Sequence, residues 1–103
     1  MTVESGPFAD LAMCGEDAVV VLRGEIDLVH HDALGTALDA AAAADNITVD
    51  LAEVIFIDWT GIALILAMAN DVRRRGGSVV LSKPQPSVRR VLRMLGVEHL
   101  LVA

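Results

Sequence analysis

Aromatic residues, cysteines and basic residues are all scarce in this sequence of 103 residues. It contains two Phe, one Trp, no Tyr and a single cysteine, Cys14. One cysteine excludes an internal disulfide and a thiolate metal cluster. A net charge of −6 with so few aromatic rings argues against nucleic-acid binding, because both phosphate attraction and base stacking are missing. The same acidic balance argues against binding to anionic membranes.

Aliphatic residues, in contrast, are abundant. Hydrophobic residues make up 54% of the chain and charged residues 21%, which is typical of a folded domain with a packed core. The length fits a single domain. The most apolar run, residues 61–69, is much shorter than the roughly 20 residues that cross a bilayer. The N-terminal residues include no basic segment of the kind that begins a signal peptide, so we expect a cytoplasmic protein.

Strand-like and helix-like segments alternate along the chain. We predict a flexible N-terminus over residues 1–7 and one domain over residues 8–103. The predicted strands cover residues 8–14, 18–24, 47–51 and 78–82, with a short final strand over residues 99–102. The predicted helices cover residues 32–44, 60–75 and 86–95. Residues 18–24 form a continuous, β-branched run, which indicates a strand that is covered on both faces.

This order of segments predicts an α/β domain. Strands that alternate with helices imply right-handed crossovers and parallel pairing. The first two strands are joined by a tight turn at residues 15–17, so we expect that pair to be antiparallel. The prediction is therefore a mixed, mostly parallel sheet of four or five strands with helices packed on it. The only basic clusters, at residues 73–75 and 89–93, are interpreted as solvated faces of helices.

Two motifs carry a family resemblance. Residues 24–28 read GEIDL and lie between a predicted strand and a predicted helix. Residues 49–62 read VDLAEVIFIDWTGI and span the next strand and the start of the next helix. In this order and spacing, the two motifs resemble those of the STAS domain of bacterial anti-sigma factor antagonists (anti-anti-sigma factors). The resemblance covers roughly residues 8–102, nearly the whole chain.

The resemblance implies a role in partner switching and transcription regulation. The unmodified antagonist of this family binds an anti-sigma factor, usually a serine kinase, and thereby releases a sigma factor. The kinase phosphorylates the residue after the aspartate of the second motif, which adds about −1.5 to −2 of charge to a packed interface. The resemblance therefore implies a protein–protein interaction module that is not an enzyme and needs no cofactor.

The sequence departs from the family pattern at the phosphorylated position. Trp59 follows Asp58, and tryptophan cannot accept a phosphate. We therefore expect that the usual phosphorylation switch does not operate at this position. Thr60 is the alternative acceptor, although its side chain points about 100° further around the helix.

The resemblance places a partner-binding face at the two motifs. Asp58 is expected to cap the second helix, where a carboxylate complements the helix dipole. Trp59 is expected to be an exposed anchor, because tryptophan is enriched among residues that dominate binding energy. Gly61 is expected to allow a close approach of the helix to the sheet or to a partner. The predicted contact residues are Glu25, Asp27, His30, Asp58, Trp59, Thr60, Gly61 and Ile62.

Two alternative functions remain open from the residues alone. Glu25, Asp27 and Asp58 should lie near one edge of the sheet, where three carboxylates could bind metal or act in acid–base chemistry. A small ligand-binding domain or enzyme would use them, but a polar turn with a helix cap explains them as well. His30 and His31 diverge by about 100°, so we predict no metal site there. The other alternative is a scaffold that assembles with other STAS proteins or with itself.

Overall fold

The computed structural model describes residues 2–6 and 8–100. Within them lie five strands and three α-helices, with short 3₁₀ turns at Leu28–His30 and Glu98–Leu100. The strands are β1 (Thr2–Ser5), β2 (Ala9–Cys14), β3 (Asp17–Ile26), β4 (Asn46–Ile57) and β5 (Ser78–Ser82). The helices are α1 (His31–Ala41), α2 (Trp59–Arg74) and α3 (Pro86–Met94). None of these helices is long and apolar enough to cross a membrane.

The five strands form one mixed sheet in the order β1-β2-β3-β4-β5. β1 and β3 pair with β2 in antiparallel fashion, and β4 pairs with β3 and β5 in parallel fashion. This confirms the predicted mixed α/β sheet, with parallel and antiparallel pairings in equal number. The equal number arises because Thr2–Ser5, predicted as part of a flexible N-terminus, adds an antiparallel edge strand.

The C-terminal segment differs from its prediction. Instead of a final strand over residues 99–102, Glu98–Leu100 form a 3₁₀ turn in which Leu100 is buried. Residues 101–103, like Met1 and Pro7, lie outside the described part of the chain. Leu100, the one apolar residue of this turn, therefore packs into the core beside α3 and β5.

The helices cover one face of the sheet. In β3, Ala18, Val20 and Leu22 are fully buried, whereas Val19 between them is 40% exposed. The prediction that this strand is covered on both faces is therefore wrong. A β-branched residue suits the pleat of an open face as well as a buried one, so the sequence shows a continuous apolar run in both cases.

The turn of the β2–β3 hairpin and the carboxyl end of β3 lie at opposite ends of the sheet. Cys14 ends β2 beside the tight turn and is exposed. β3 then runs for 10 residues to Ile26, at the opposite end of the sheet. Because β3 and β4 are parallel, the carboxyl end of β4 lies at that same end.

Candidate functional site

The two sequence motifs meet where β3 and β4 end. Ile26 pairs with Ile57 at the last position of the parallel ladder. The next backbone N–H, that of Asp58, donates a 3.0 Å hydrogen bond to the carbonyl of Ile26. Asp27 then begins the turn into α1, and Trp59 begins α2. The fold thus brings the motifs into direct contact, as the parallel pairing predicts.

Asp58 caps the N-terminus of α2, which confirms the predicted cap. Its carboxylate Oδ1 accepts a 2.6 Å hydrogen bond from the Thr60 hydroxyl and a 3.0 Å hydrogen bond from the Gly61 N–H. These bonds, the Thr60 hydroxyl first, lower the pKa of Asp58 below its ordinary value against the opposing effect of burial. The charged carboxylate therefore stabilises the start of α2.

The lowered pKa of Asp58 predicts a pH-dependent stability. Because the pKa of Asp58 is lower in the folded state, its charged form adds to the free energy of unfolding. This stabilisation is complete above the unfolded-state pKa of about 3.9 and is lost as the pH falls through the pKa of the folded state. Asp58→Asn should lower the free energy of unfolding by about 0.3–1 kcal/mol at neutral pH, since it removes the charge from the helix dipole. Urea denaturation between neutral pH and about pH 3 should show that the free energies of unfolding of the variant and the wild type become equal at the acid end.

A matched control is Asp39→Asn. Asp39 is exposed near the C-terminal end of α1, where a negative charge is unfavourable. This variant should not lose stability at neutral pH. An Asp58→Asn variant as stable as the wild type at every pH would contradict the proposed role of the charge.

Two predicted contact residues lie in the core instead. Gly61 is buried, and a Cβ at this position would lie 2.9 Å from Ile26 Cγ2 and 3.1 Å from Ile57 Cγ1. It therefore allows α2 to approach the sheet closely, which is the first of the two expectations for this glycine. Ile62 is buried against the same core. Neither has a side chain free to contact a partner, because α2 turns this side of the motif inward.

Trp59 is 57% exposed at the first position of α2. It shares this end of the sheet with other exposed apolar side chains from the β3–α1 turn and from the end of β4. We call this group the apolar patch; its members are Leu28, Val29, Ile55, Phe56 and Trp59. Several exposed apolar residues at one end of a sheet, with charged residues beside them in the chain, are typical of interaction sites.

Sequence reasoning found only Trp59 of this patch. Ile55 falls at an irregularity of the ladder, since Gly24 pairs with Val54 and Glu25 pairs with Phe56. Leu28 and Val29 lie in a 3₁₀ turn between polar residues. All of these apolar residues occupy positions that neither helical nor strand periodicity assigns to the core. This mismatch is the feature of the sequence that could have identified them as surface residues.

The remaining predicted contact residues surround the patch. Glu25 is exposed on β3. Asp27 accepts a 3.1 Å hydrogen bond from the Val29 N–H, and its Oδ1 lies 3.2 Å from His30 Nδ1. The His30 ring stacks on Phe8, with ring centroids 5.3 Å apart. Asp27 and His30 therefore hold the turn that presents the patch.

The three carboxylates considered for metal or acid–base chemistry do not converge. Within residues 8–100, no group of three or more His, Cys, Asp or Glu side chains is placed to hold a metal ion. A cleft of about 570 Å³ lies between α1 and the β2–β3 strands, lined in part by Phe8, Leu11, Glu25 and His30. Asp27 and Asp58 do not line it, so the cleft does not assemble the proposed constellation.

Comparison with known proteins identifies the family. The family model described as "Mlab, STAS domain" matches residues 9–103. The chain belongs to the STAS domain family. Its motifs, its mixed sheet and the position of α2 after the second motif all agree with this assignment.

Solved structures share the fold of this STAS domain. The anti-sigma factor antagonist SpoIIAA in its unphosphorylated form is 24% identical with a TM-score of 0.82, over 91% of this chain and 85% of that one. The Bacillus cell fate determinant SpoIIAA in its phosphorylated form is 23% identical with a TM-score of 0.75, over 91% and 88%. An anti-sigma factor antagonist from Mycobacterium paratuberculosis is 24% identical with a TM-score of 0.81, over 93% and 86%. A sulfate transporter family protein from Wolinella succinogenes is 18% identical with a TM-score of 0.70, over 87% and 79%. At these identities the matches show the fold alone.

The STAS motif of this chain has an unusual start to α2. Trp59 occupies the first helical position, where its indole extends into solvent rather than into the core. The neighbouring Thr60 is half-buried, and its hydroxyl proton is donated to Asp58. The start of α2 therefore presents an aromatic ring where a free hydroxyl is expected in the family.

Proposed function

We propose that this STAS domain is an anti-anti-sigma factor, which binds an anti-sigma factor and thereby releases a sigma factor for transcription. The observation that carries the proposal is the apolar patch at the STAS motifs. Of the eight large apolar side chains that are exposed within residues 8–100, five belong to it. The proposed role is non-enzymatic, requires no cofactor and places the protein in the cytoplasm.

The chemistry of the patch suits a protein partner. An aromatic anchor surrounded by aliphatic side chains, with a polar rim, is the composition of a typical protein–protein interface. The rim here includes Glu25 and Asp27, and Thr60 lies beside the anchor. We expect the anti-sigma factor to cover Trp59 and the aliphatic residues, with complementary charge towards the carboxylates.

We further propose that phosphorylation at the usual site does not switch this interaction. Trp59 has no hydroxyl to modify. The Thr60 hydroxyl oxygen lies 2.6 Å from the carboxylate oxygen of Asp58, to which it donates a hydrogen bond. A phosphate on Thr60 would remove this donor and would place a second negative group beside the carboxylate. Modification at Thr60 would therefore oppose the cap of α2.

Native mass spectrometry tests this function. The protein is mixed with each anti-sigma factor encoded in the genome of origin, with and without ATP and Mg²⁺. A complex that survives ATP without a gain of phosphate is the expected result. With a partner of the kinase type, Trp59→Ser should restore sensitivity to ATP, because it recreates the family's hydroxyl at the first position of α2.

Two other outcomes would contradict the proposal. Loss of the complex with a gain of one phosphate would mean that Thr60 or another hydroxyl is the acceptor, and Thr60→Val would distinguish these. Absence of any complex would reject the antagonist function. The scaffold function, in assemblies with other STAS proteins or with itself, would then be favoured.

The cleft beside α1 supports a second candidate, a small ligand-binding domain. Its walls are largely apolar, and their polar side chains are those of Arg23, Glu25, His30 and Thr36. A ligand retained through purification and detected by mass spectrometry would favour this function. An apolar molecule that also carries a hydrogen-bonding group is the class that these walls would accept.

A further inference from the structure

Positive and negative charges are separated along the chain and across the sheet. Residues 1–72 contain thirteen carboxylates and one cation, a net charge of −12. Residues 73–103 contain seven cations and one carboxylate, a net charge of +6. The described part of this basic segment forms the end of α2, the edge strand β5, and α3. The acidic molecule therefore has a basic side.

The basic side is concentrated on α3. Val88 and Leu92 bury one side of this helix in the core. Arg89, Arg90 and Arg93 are exposed on the other side. Among the side chains of residues 8–100, Arg93 pairs with Glu98 at 3.0 Å, whereas no ion pair involves Arg89 or Arg90.

Exposed apolar residues lie next to these arginines. Met94, the last residue of α3, is 77% exposed, and Leu95 follows it with 40% exposed. We call the five residues the α3 basic face: Arg89, Arg90, Arg93, Met94 and Leu95. It combines apolar contact area with positive charge.

The apolar patch combines the same two features with the opposite charge. Leu28 and Val29 are 69% and 85% exposed. Glu25 precedes them on β3, and Asp32 follows in the first turn of α1; both are exposed. The two surfaces are therefore complementary in charge, and each supplies apolar area for the other to bury.

We propose that copies of this protein associate head to tail, with the α3 basic face of one copy on the apolar patch of the next. A second copy is the partner because it carries the acidic, apolar surface that the basic face fits. The two surfaces are different, so each added copy leaves one of each free, and the assembly is an open chain rather than a closed dimer.

The net charge of −6 sets the conditions for observing this association. At low ionic strength the net negative charges of two copies repel each other. At about 0.1 M salt the Debye length is roughly 10 Å, which screens this repulsion but still allows attraction between surfaces in contact. At about 1 M salt the Debye length falls to roughly 3 Å, and the attraction is lost.

Sedimentation velocity of the purified full chain measures the association. At about 0.1 M salt, the average mass should rise with concentration without levelling at twice the monomer mass, and it should return to the monomer at about 1 M salt. Arg89→Gln combined with Arg90→Gln should weaken association at least about tenfold. Arg73→Gln combined with Arg74→Gln removes the same charge from exposed positions on α2 and should have little effect.

A mixing experiment distinguishes a head-to-tail assembly from other associations. The Arg89→Gln, Arg90→Gln variant keeps its apolar patch, and a Leu28→Ser, Val29→Ser variant keeps its α3 basic face. Each should be monomeric alone. Mixed in equal amounts, they should form a heterodimer, because the intact patch of the first variant can bind the intact α3 basic face of the second. The two altered surfaces remain at the ends of this heterodimer and prevent the addition of further copies.

The following results would overturn the inference. They are a monomer at all concentrations in about 0.1 M salt, a mass that levels at the dimer, equal effects of the two arginine pairs, or no heterodimer on mixing. The measurements use this protein alone and so do not depend on the proposed function. The variant altered at Arg89 and Arg90 keeps the patch, so its binding to an anti-sigma factor separates failure of one proposal from failure of the other.

Discussion

Replacing Trp59 with alanine should weaken the complex with the anti-sigma factor by about 30-fold or more, which corresponds to about 2 kcal/mol. The indole is the largest side chain of the apolar patch and is 57% exposed before binding. A partner that buries it gains a large apolar area with few rotatable bonds. Isothermal titration calorimetry with the anti-sigma factor selected by mass spectrometry measures the change directly.

The fold should not suffer from this substitution. Alanine is the best helix former, and Trp59 contributes an exposed side chain at the first position of α2. Val19→Ala is the matched control, since Val19 is an exposed apolar residue outside both the patch and the α3 basic face. Equal binding of the Trp59→Ala variant and the wild type would contradict the assignment of the patch as the partner-binding face.

Gly77→Ala should have the largest effect on stability, lowering the free energy of unfolding by about 2–3 kcal/mol or more. A Cβ at this position would lie 2.3 Å from the carbonyl oxygen of Asp45 and 2.7 Å from Val72 Cγ1. That carbonyl cannot move freely, because it accepts a 2.8 Å hydrogen bond from the Ser78 N–H at the start of β5. Thermal unfolding should show a drop of about 10 °C or more.

Gly35→Ala provides the control for this experiment. Gly35 lies within α1, and nothing lies within 4 Å of a Cβ built there. The substitution should raise stability by about 0.5–1 kcal/mol, because it removes glycine from a helix interior. A Gly77→Ala variant with the stability of the wild type would show that Gly77 does not approach the Asp45 carbonyl and Val72 as closely as described.

Local sequence signals predicted some elements well. β5 was predicted as residues 78–82 and is Ser78–Ser82. The end of α2 follows its cations and glycines: Gly76 has a φ of +89°, and the Gly77 N–H donates a 2.9 Å hydrogen bond to the Val72 carbonyl. Both features depend on residues within a few positions of one another, so the sequence alone contains the information.

β4 shows what the sequence could not reveal. It was predicted to end at residue 51 but continues to Ile57. Its second half loses the simple alternation because the register against β3 shifts twice. These shifts depend on the pairing with another strand. They also turn Ile55 and Phe56 towards solvent, so part of the candidate site became visible only in the fold.

Cys14 and Trp59 provide a site for a fluorescent label and an intrinsic fluorophore without any mutation. The chain has one residue of each kind, and both are exposed. Cys14 lies at the amino end of β3 and Trp59 beyond its carboxyl end, so the length of that strand separates them by about 30 Å. A fluorophore on the thiol would accept energy from the indole, and a partner that covers the ring would change that transfer while leaving the labelled end of the sheet untouched.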